Sequence, residues 1–280
     1  MTHTLVSTEW LAEHLHDHNL VVVDASWYMP ATGRKGFDDY LKSHIPGAVF
    51  FGIDEIADKK TSLPHMLPRP EEFGATVGAL GIGNDDIIVV YDEAGLFSAP
   101  RVWWTFNAMG AKDVRVLDGG GPKWRAEGRP TESGMSSRPP KLFHPGFRPE
   151  LVEDFDSVLA FTQSRAKTIV DARPAERFKG EVAEPRAGLA SGHIPTSLNL
   201  PVGSLSVDGH MRPANELSAI FEKAGVDVTK PIVTSCGSGV TAAVISLALE
   251  SVGHTDHRLY DGSWSEWGGR GDTPIVTGND

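Results

Sequence analysis

The sequence predicts an α/β protein built as two tandem domains, each a mainly parallel sheet with helices on both faces. Three observations predict it. Short apolar, β-rich runs alternate with helix-patterned segments along the whole chain, and nearly continuous apolar strands belong to sheets covered on both faces. The second half repeats landmarks of the first in the same order. A proline-rich stretch separates the two.

In the first half, residues 21–24, 87–91 and 114–117 have the apolar continuity of buried strands, and 8–16, 71–80 and 100–109 carry helical patterns. In the second half the strands fall at 168–171, 232–235 and 257–260, and the helices at 154–162, 215–224 and 239–252. The repeat is visible residue by residue. Val21-Val22-Val23-Asp24 matches Thr168-Ile169-Val170-Asp171, and Ser43-His44-Ile45-Pro46 matches Gly192-His193-Ile194-Pro195. Ile88 to Asp92 matches Ile232 to Cys236, and Leu117-Asp118-Gly119 with Trp124 matches Tyr260-Asp261-Gly262 with Trp267. The offsets are 147, 149, 144 and 143, so order is kept with small insertions, as a duplication requires. The expected division is a first domain over 1–130, a linker over 131–149 and a second domain over 150–280. The stretch from Gly128 to Pro149 holds Pro130, Pro139, Pro140, Pro145 and Pro149 and is expected to cross in extended form from one domain to the other.

Composition narrows the function. The net charge of −11 is spread evenly, with 13 basic and 19 acidic residues in 1–140 and 13 and 18 in the rest. Without a basic patch or tail, neither nucleic acid nor an anionic membrane is an expected partner. No apolar run approaches the ~20 residues of a membrane span. The first ten residues have no basic or apolar signal-peptide region. A single cysteine makes no internal disulfide and suits a reducing compartment, so a cytoplasmic location is expected. No metal or other cofactor is expected; His14, His16 and His18 would point to different faces of a helix.

That one cysteine carries most of the functional signal. The apolar run Pro231-Ile232-Val233 leads into Cys236, Gly237 and Gly239 follow it, and an apolar helical stretch comes next. Strand, tight loop and helix in this order align backbone N–H groups and a helix N-terminus on one point, which favours an anion. Such a loop would expose a thiolate. An isolated cysteine is more often an inert packing residue, but the duplicate supplies a control, because Asp92 stands at the matching place in the first half. One catalytic centre is therefore expected to serve two domains. A cysteine phosphatase would need arginine six residues after the nucleophile to hold the phosphate dianion; Ala242 stands there.

The landmarks Asp171-Ala172-Arg173, Gly192-His193-Ile194-Pro195, the Cys236 loop, and Asp261-Gly262 with Trp267 resemble the two-domain rhodanese superfamily of sulfurtransferases, over essentially the whole chain. The resemblance implies two rhodanese-like domains, the first non-catalytic and the second catalytic. Thiosulfate-preferring members carry an Arg-Lys pair after the cysteine; here Gly237 and Ser238 stand there, as in the branch that uses 3-mercaptopyruvate. Pro64-His65-Met66-Leu67-Pro68 and Ser98-Ala99-Pro100-Arg101-Val102-Trp103-Trp104 are similar to that branch too.

The resemblance implies that Cys236 takes sulfur from a mercapto-keto acid, releases pyruvate and passes the sulfur to a thiol such as thioredoxin or a low-molecular-weight thiol, or to cyanide. Arg177 and Arg186 are then the carboxylate anchors, a task suited to arginine's rigid fork. Gly237, Gly239, Val240 and Thr241 line the substrate, with the glycines permitting close backbone approach. Ser238, His65 and Asp54 form the implied proton-handling group. Two alternatives stand beside this: a thiosulfate:cyanide sulfurtransferase, and a non-enzymatic sulfur carrier or regulatory module. The duplicated His44 and His193 are expected to be structural, as are Asp24 and Asp171, which would accept backbone donors at strand ends. Trp103, Trp104, Trp124, Trp264 and Trp267 are expected to pack. Arg101 is expected to pair with Asp92, without catalytic consequence.

Overall fold

The computed structural model describes residues 4–278. The first half runs β1 (Leu5–Val6), α1 (Thr8–His14), β2 (Leu20–Asp24), α2 (Gly36–Lys42), β3 (Val49–Phe50), α3 (Pro70–Ala79), β4 (Ile87–Tyr91), α4 (Ala99–Ala108), β5 (Asp113–Leu117) and α5 (Gly120–Ala126). The second runs β6 (Val152–Glu153), α6 (Phe155–Ser164), β7 (Thr168–Asp171), α7 (Ala175–Phe178), β8 (Leu198–Asn199), β9 (Ser206–Val207), β10 (His210–Met211), α8 (Ala214–Lys223), β11 (Ile232–Ser235), α9 (Ala242–Ser251), β12 (His257–Tyr260) and α10 (Ser263–Trp267). Apart from the β9–β10 hairpin, the second series repeats the first element for element. The two five-stranded sheets have the same order, β1-β5-β4-β2-β3 and β6-β12-β11-β7-β8, with every pairing parallel.

The central strands are apolar throughout because both faces are covered: all five residues of β2 are buried, and so are all four of β11. In the β7–β11 register Asp171 stands opposite Ser235, which brings Cys236 to the carboxyl edge of the second sheet. Asp92 follows β4 at the same edge of the first sheet. Open parallel sheets bind ligands at this edge. From these two loops start α4 and α9, which pack against each other. Residues 242–249 of α9 are buried all round, as a helix between two domains must be. One apolar cluster therefore runs through both halves, from Val23 and Phe106 to Val170 and Leu247.

Some expectations need correction. The helix after the Cys236 loop begins at Ala242, not at 239, because Gly239 has φ +76° and cannot lie in a right-handed helix. The first helix ends at His14, leaving His16 and His18 exposed beyond it. The segment after residue 130 does not simply cross between domains; it straps the first one. Glu132 bridges to His44, Lys141 N donates to Gly78 O at 2.9 Å, and Arg148 N donates to Ala108 O at 2.8 Å. Phe143 is buried in the core, and a Cβ on Gly78 of α3 would come within 2.6 Å of Lys141 O, so glycine lets the strap lie flat.

His44 and His193 hold matching structural places. Each ring Nδ1 lies 2.8 Å from a backbone carbonyl, Tyr40 O and Phe178 O respectively. Each ring is stacked on the same residue whose carbonyl it meets, at 4.2 and 3.8 Å. Asp24 and Asp171 each accept from the backbone N–H two residues on, at 2.9 Å. The indole nitrogens of Trp124, Trp264 and Trp267 donate to the carbonyls of Pro130, Ala190 and Pro274, and all three rings are buried.

Candidate active site

Cys236 leaves β11 in a loop that α10 holds in shape. Ser263 Oγ accepts from Cys236 N at 3.2 Å, Trp264 N donates to Cys236 O at 2.9 Å, and Ser265 N and Oγ donate to Gly237 O at 2.8 and 2.6 Å. The carbonyls of Cys236 and Gly237 are thus used, while the N–H groups of 237–241 find no protein acceptor among the described residues. Thr241 then leads into α9, so the cradle is continuous with a helix N-terminus. The thiol is not exposed, contrary to expectation: Cys236 is 2 % accessible. It lies at a cavity of about 190 Å3 lined also by Trp27, Phe97, Val202, Val240 and Thr241.

The first domain shows what such a loop holds. Asp92 Oδ1 accepts from Ala94 N at 2.9 Å, and Oδ2 accepts from the N–H groups of Phe97, Ser98 and Ala99 at 2.7–2.8 Å. At the offset of 144 these amides correspond to residues 238 and 241–243. A carboxylate thus occupies, on four backbone donors shared between its two oxygens, the loop position that Cys236 takes in the other domain. Glu93, at the position of Gly237, pairs with Arg125. Arg101 does not pair with Asp92. The amides already satisfy that carboxylate, and the Arg101 side chain extends across the domain interface to Asp261 at 2.7 Å.

Two guanidinium groups border the cysteine. A Cβ built on Gly237 would lie 3.2 Å from one Arg177 nitrogen and 3.9 Å from one of Arg186, so glycine leaves both groups access to the cavity. Arg177 is held by Glu184, at 3.2 and 2.5 Å, and buried Glu184 also accepts from Arg173 at 2.8 Å. Arg186, half-buried, has no hydrogen bond or ion pair among the described residues. Burial lowers its pKa; the charge of the Cys236 sulfur opposes that shift and the nearby Arg177 adds to it.

The other three predicted residues also come together, across the domain boundary. Ser238 Oγ lies 3.0 Å from His65 Nδ1, and His65 Nε2 lies 3.1 Å from Asp54 Oδ1. Trp27, which the sequence reading did not single out, donates from its indole to Asp54 Oδ2 at 2.7 Å and meets the His65 ring edge-on at 4.9 Å. The His65 hydrogen bond, then that of Trp27, hold the Asp54 carboxyl below the usual carboxylate range despite its partial burial. The arrangement can hold an anion on amides, anchor a carboxylate beside it and move a proton along Ser238, His65 and Asp54.

Comparison with known proteins agrees with this geometry. The family model "Rhodanese-like domain" matches residues 7–127 and again 155–270. The chain belongs to the rhodanese family. It is 45 % identical over 271 residues to 3-mercaptopyruvate sulfurtransferase of Escherichia coli K12, covering 96 % of each chain. It is also 44 % identical over 271 residues to thiosulfate sulfurtransferase of Bos taurus, covering 94 % of this chain and 91 % of that one. The crystal structure of SseA, a 3-mercaptopyruvate sulfotransferase from Escherichia coli, superposes with a TM-score of 0.87 at 43 % identity, covering 94 % of this chain and 99 % of that one. This rhodanese-family chain is accordingly a sulfurtransferase, with two rhodanese domains on parallel five-stranded sheets.

Proposed function

We propose that this sulfurtransferase takes sulfur from 3-mercaptopyruvate through a persulfide on Cys236. The Cys236 thiolate attacks the donor's sulfur, forming the S–S bond. The donor's C–S bond breaks, and its electron pair leaves with carbon as the enolate of pyruvate, which takes up one proton. An acceptor thiolate or cyanide then attacks the outer sulfur and regenerates the Cys236 thiolate. Thioredoxin or a low-molecular-weight thiol is the acceptor we propose, in the cytoplasm. Among the described residues no helix is long and apolar enough to cross a membrane.

The observation that carries the donor assignment is the pair of guanidinium groups at Gly237. A planar α-keto carboxylate suits paired planar forks, and Ser238 stands where a basic side chain would serve a dianion. The persulfide is supported by the amide-lined loop, whose duplicate holds the Asp92 carboxylate. Negative charge on the outer sulfur then meets donors that need no reorganisation. Gly239, Val240 and Thr241 shape this cradle. Ser238, His65 and Asp54 supply and relay the proton for the enolate. In this reading residues 150–280 are the catalytic domain and 131–149 the linker. Residues 1–130 have no cysteine of their own but contribute Asp54 and His65.

The thiosulfate reading is kept in view by the bovine relative, whose identity to this chain nearly equals that of the bacterial mercaptopyruvate enzyme. Donor competition decides between them. Pyruvate release from 3-mercaptopyruvate is expected to exceed thiocyanate formation from thiosulfate in kcat/KM. The reverse order would establish the thiosulfate reading, and no turnover with either donor would favour a carrier.

A further inference from the structure

We propose that Arg101 is the positioning residue that sets His65 against Ser238 across the domain interface. Its guanidinium is buried, lies 4.5 Å from the centre of the Trp104 ring and donates in three directions. One nitrogen donates to Gly239 O at 3.3 Å; the other donates to His65 O at 2.6 Å and to Asp261 Oδ1 at 2.7 Å. The second oxygen of Asp261 accepts from Leu67 N at 2.8 Å. His65 is therefore tied through its own carbonyl and again two residues on, while Ser238 is tied through the next residue, Gly239.

These ties act where the backbone needs them. His65 stands at φ +63°, a left-handed conformation that a histidine keeps only when its surroundings impose it. Gly239 stands at φ +76°, and a Cβ there would come within 2.5 Å of the Arg101 guanidinium, so the loop rests directly on it. The hydroxyl and the imidazole belong to different domains, and one rigid fork holds the backbone beside both. The dead loop of the first domain gains a purpose from this. Asp92 accepts from Ser98 N and Ala99 N at the start of α4, the helix that carries Arg101. With Asp92 in place of a cysteine, that loop anchors the start of the helix.

The inference rests on Ser238 and His65 handling the proton, and the test separates the two. Steady-state pyruvate release is measured for the wild type, Arg101→Lys, His65→Gln and the double variant, with folding checked by melting temperature. Lysine keeps a cation beside Asp261 but lacks the fork. Arg101→Lys is expected to lower kcat about tenfold, with KM for 3-mercaptopyruvate within about twofold, because ground-state binding lies at Arg177 and Arg186. In the His65→Gln background the same substitution is expected to change kcat by less than about twofold, since the aligned group is gone. Penalties that multiply independently, or a loss confined to KM, would overturn the positioning role and leave the proton reading intact. An unchanged kcat in His65→Gln alone would overturn both. Should Arg101→Lys fail to fold, Asp261→Asn replaces it in the same cycle, because Arg101 and Leu67 donate to different oxygens of Asp261 and the amide nitrogen that replaces one of them cannot accept.

Discussion

Arg177 and Arg186 border the same glycine, yet their removal should have opposite consequences for the folded protein. Arg186 has no hydrogen bond or ion pair among the described residues, is half-buried, and is disfavoured there by burial and by Arg177, which together outweigh the opposing charge of Cys236. Arg186→Gln therefore leaves no protein group unpaired and relieves a like-charge contact, so the melting temperature should stay level or rise. Arg177→Gln removes two hydrogen bonds from buried Glu184 and leaves it with Arg173 alone. That should cost about 1–3 kcal/mol, or roughly 2–4 °C in melting temperature per kcal/mol for a chain of this size. Catalysis should suffer in both. A charge-assisted hydrogen bond to the donor contributes about 1.5–3 kcal/mol, so either change should lower kcat/KM for 3-mercaptopyruvate by about 10–100-fold. The assay is pyruvate release against donor concentration, paired with thermal melts. An Arg186→Gln variant with unchanged kcat/KM, or one that melts as low as Arg177→Gln, would refute the assignment of Arg186 as the free anchor.

Two further outcomes follow from the first domain. Asp92→Asn replaces a carboxylate that accepts from four amides by a group with one acceptor oxygen, and should lower stability by about 3 kcal/mol in urea unfolding; an unchanged midpoint would contradict the anchor role. Asp24 differs from Asp171, which pairs with Arg173, because Ser26 replaces the arginine and Asp24 Oδ2 finds no hydrogen-bond partner among the described residues. Burial pushes the Asp24 carboxyl up to about 6. The unfolded group titrates near ~3.9, so between about pH 4 and pH 6 the folded state holds a proton that the unfolded state has lost. Stability falls as pH rises through that window. Asp24→Asn should be more stable than wild type by roughly 3 kcal/mol above the window, with the gain gone below it; a pH-independent difference would show that Asp24 ionisation is not the cause.

The duplication made much of this legible. It aligned Asp92 with Cys236 and placed both at carboxyl edges of strands, and residues 87–91, 168–171, 232–235 and 257–260 are strands in the structure. The two-residue strands β1, β3, β6 and β8 are too short to show a period. The strap after residue 130 reads as polar and proline-rich because its order comes from contacts with α3 and α4, not from its own pattern. Ser238, His65 and Asp54 were reachable only through a resemblance, since the chain separates His65 from Ser238 by 173 residues. Arg101 was misassigned for the same reason. Its position near Asp92 in sequence suggests a local ion pair, whereas its partners are His65, Gly239 and Asp261, 36, 138 and 160 residues away. Trp27 had no local mark to separate it from a packing tryptophan.

Single-turnover loading of the protein with 3-mercaptopyruvate, without any acceptor, tests the central claim most directly. The account predicts a burst of one pyruvate per chain and the addition of one sulfur atom at Cys236, seen by intact-protein and peptide mass spectrometry. Adding cyanide or a thiol should then discharge that sulfur, and Cys236→Ser should show neither burst nor adduct. Pyruvate released without sulfur on Cys236, or a burst that persists in Cys236→Ser, would contradict it.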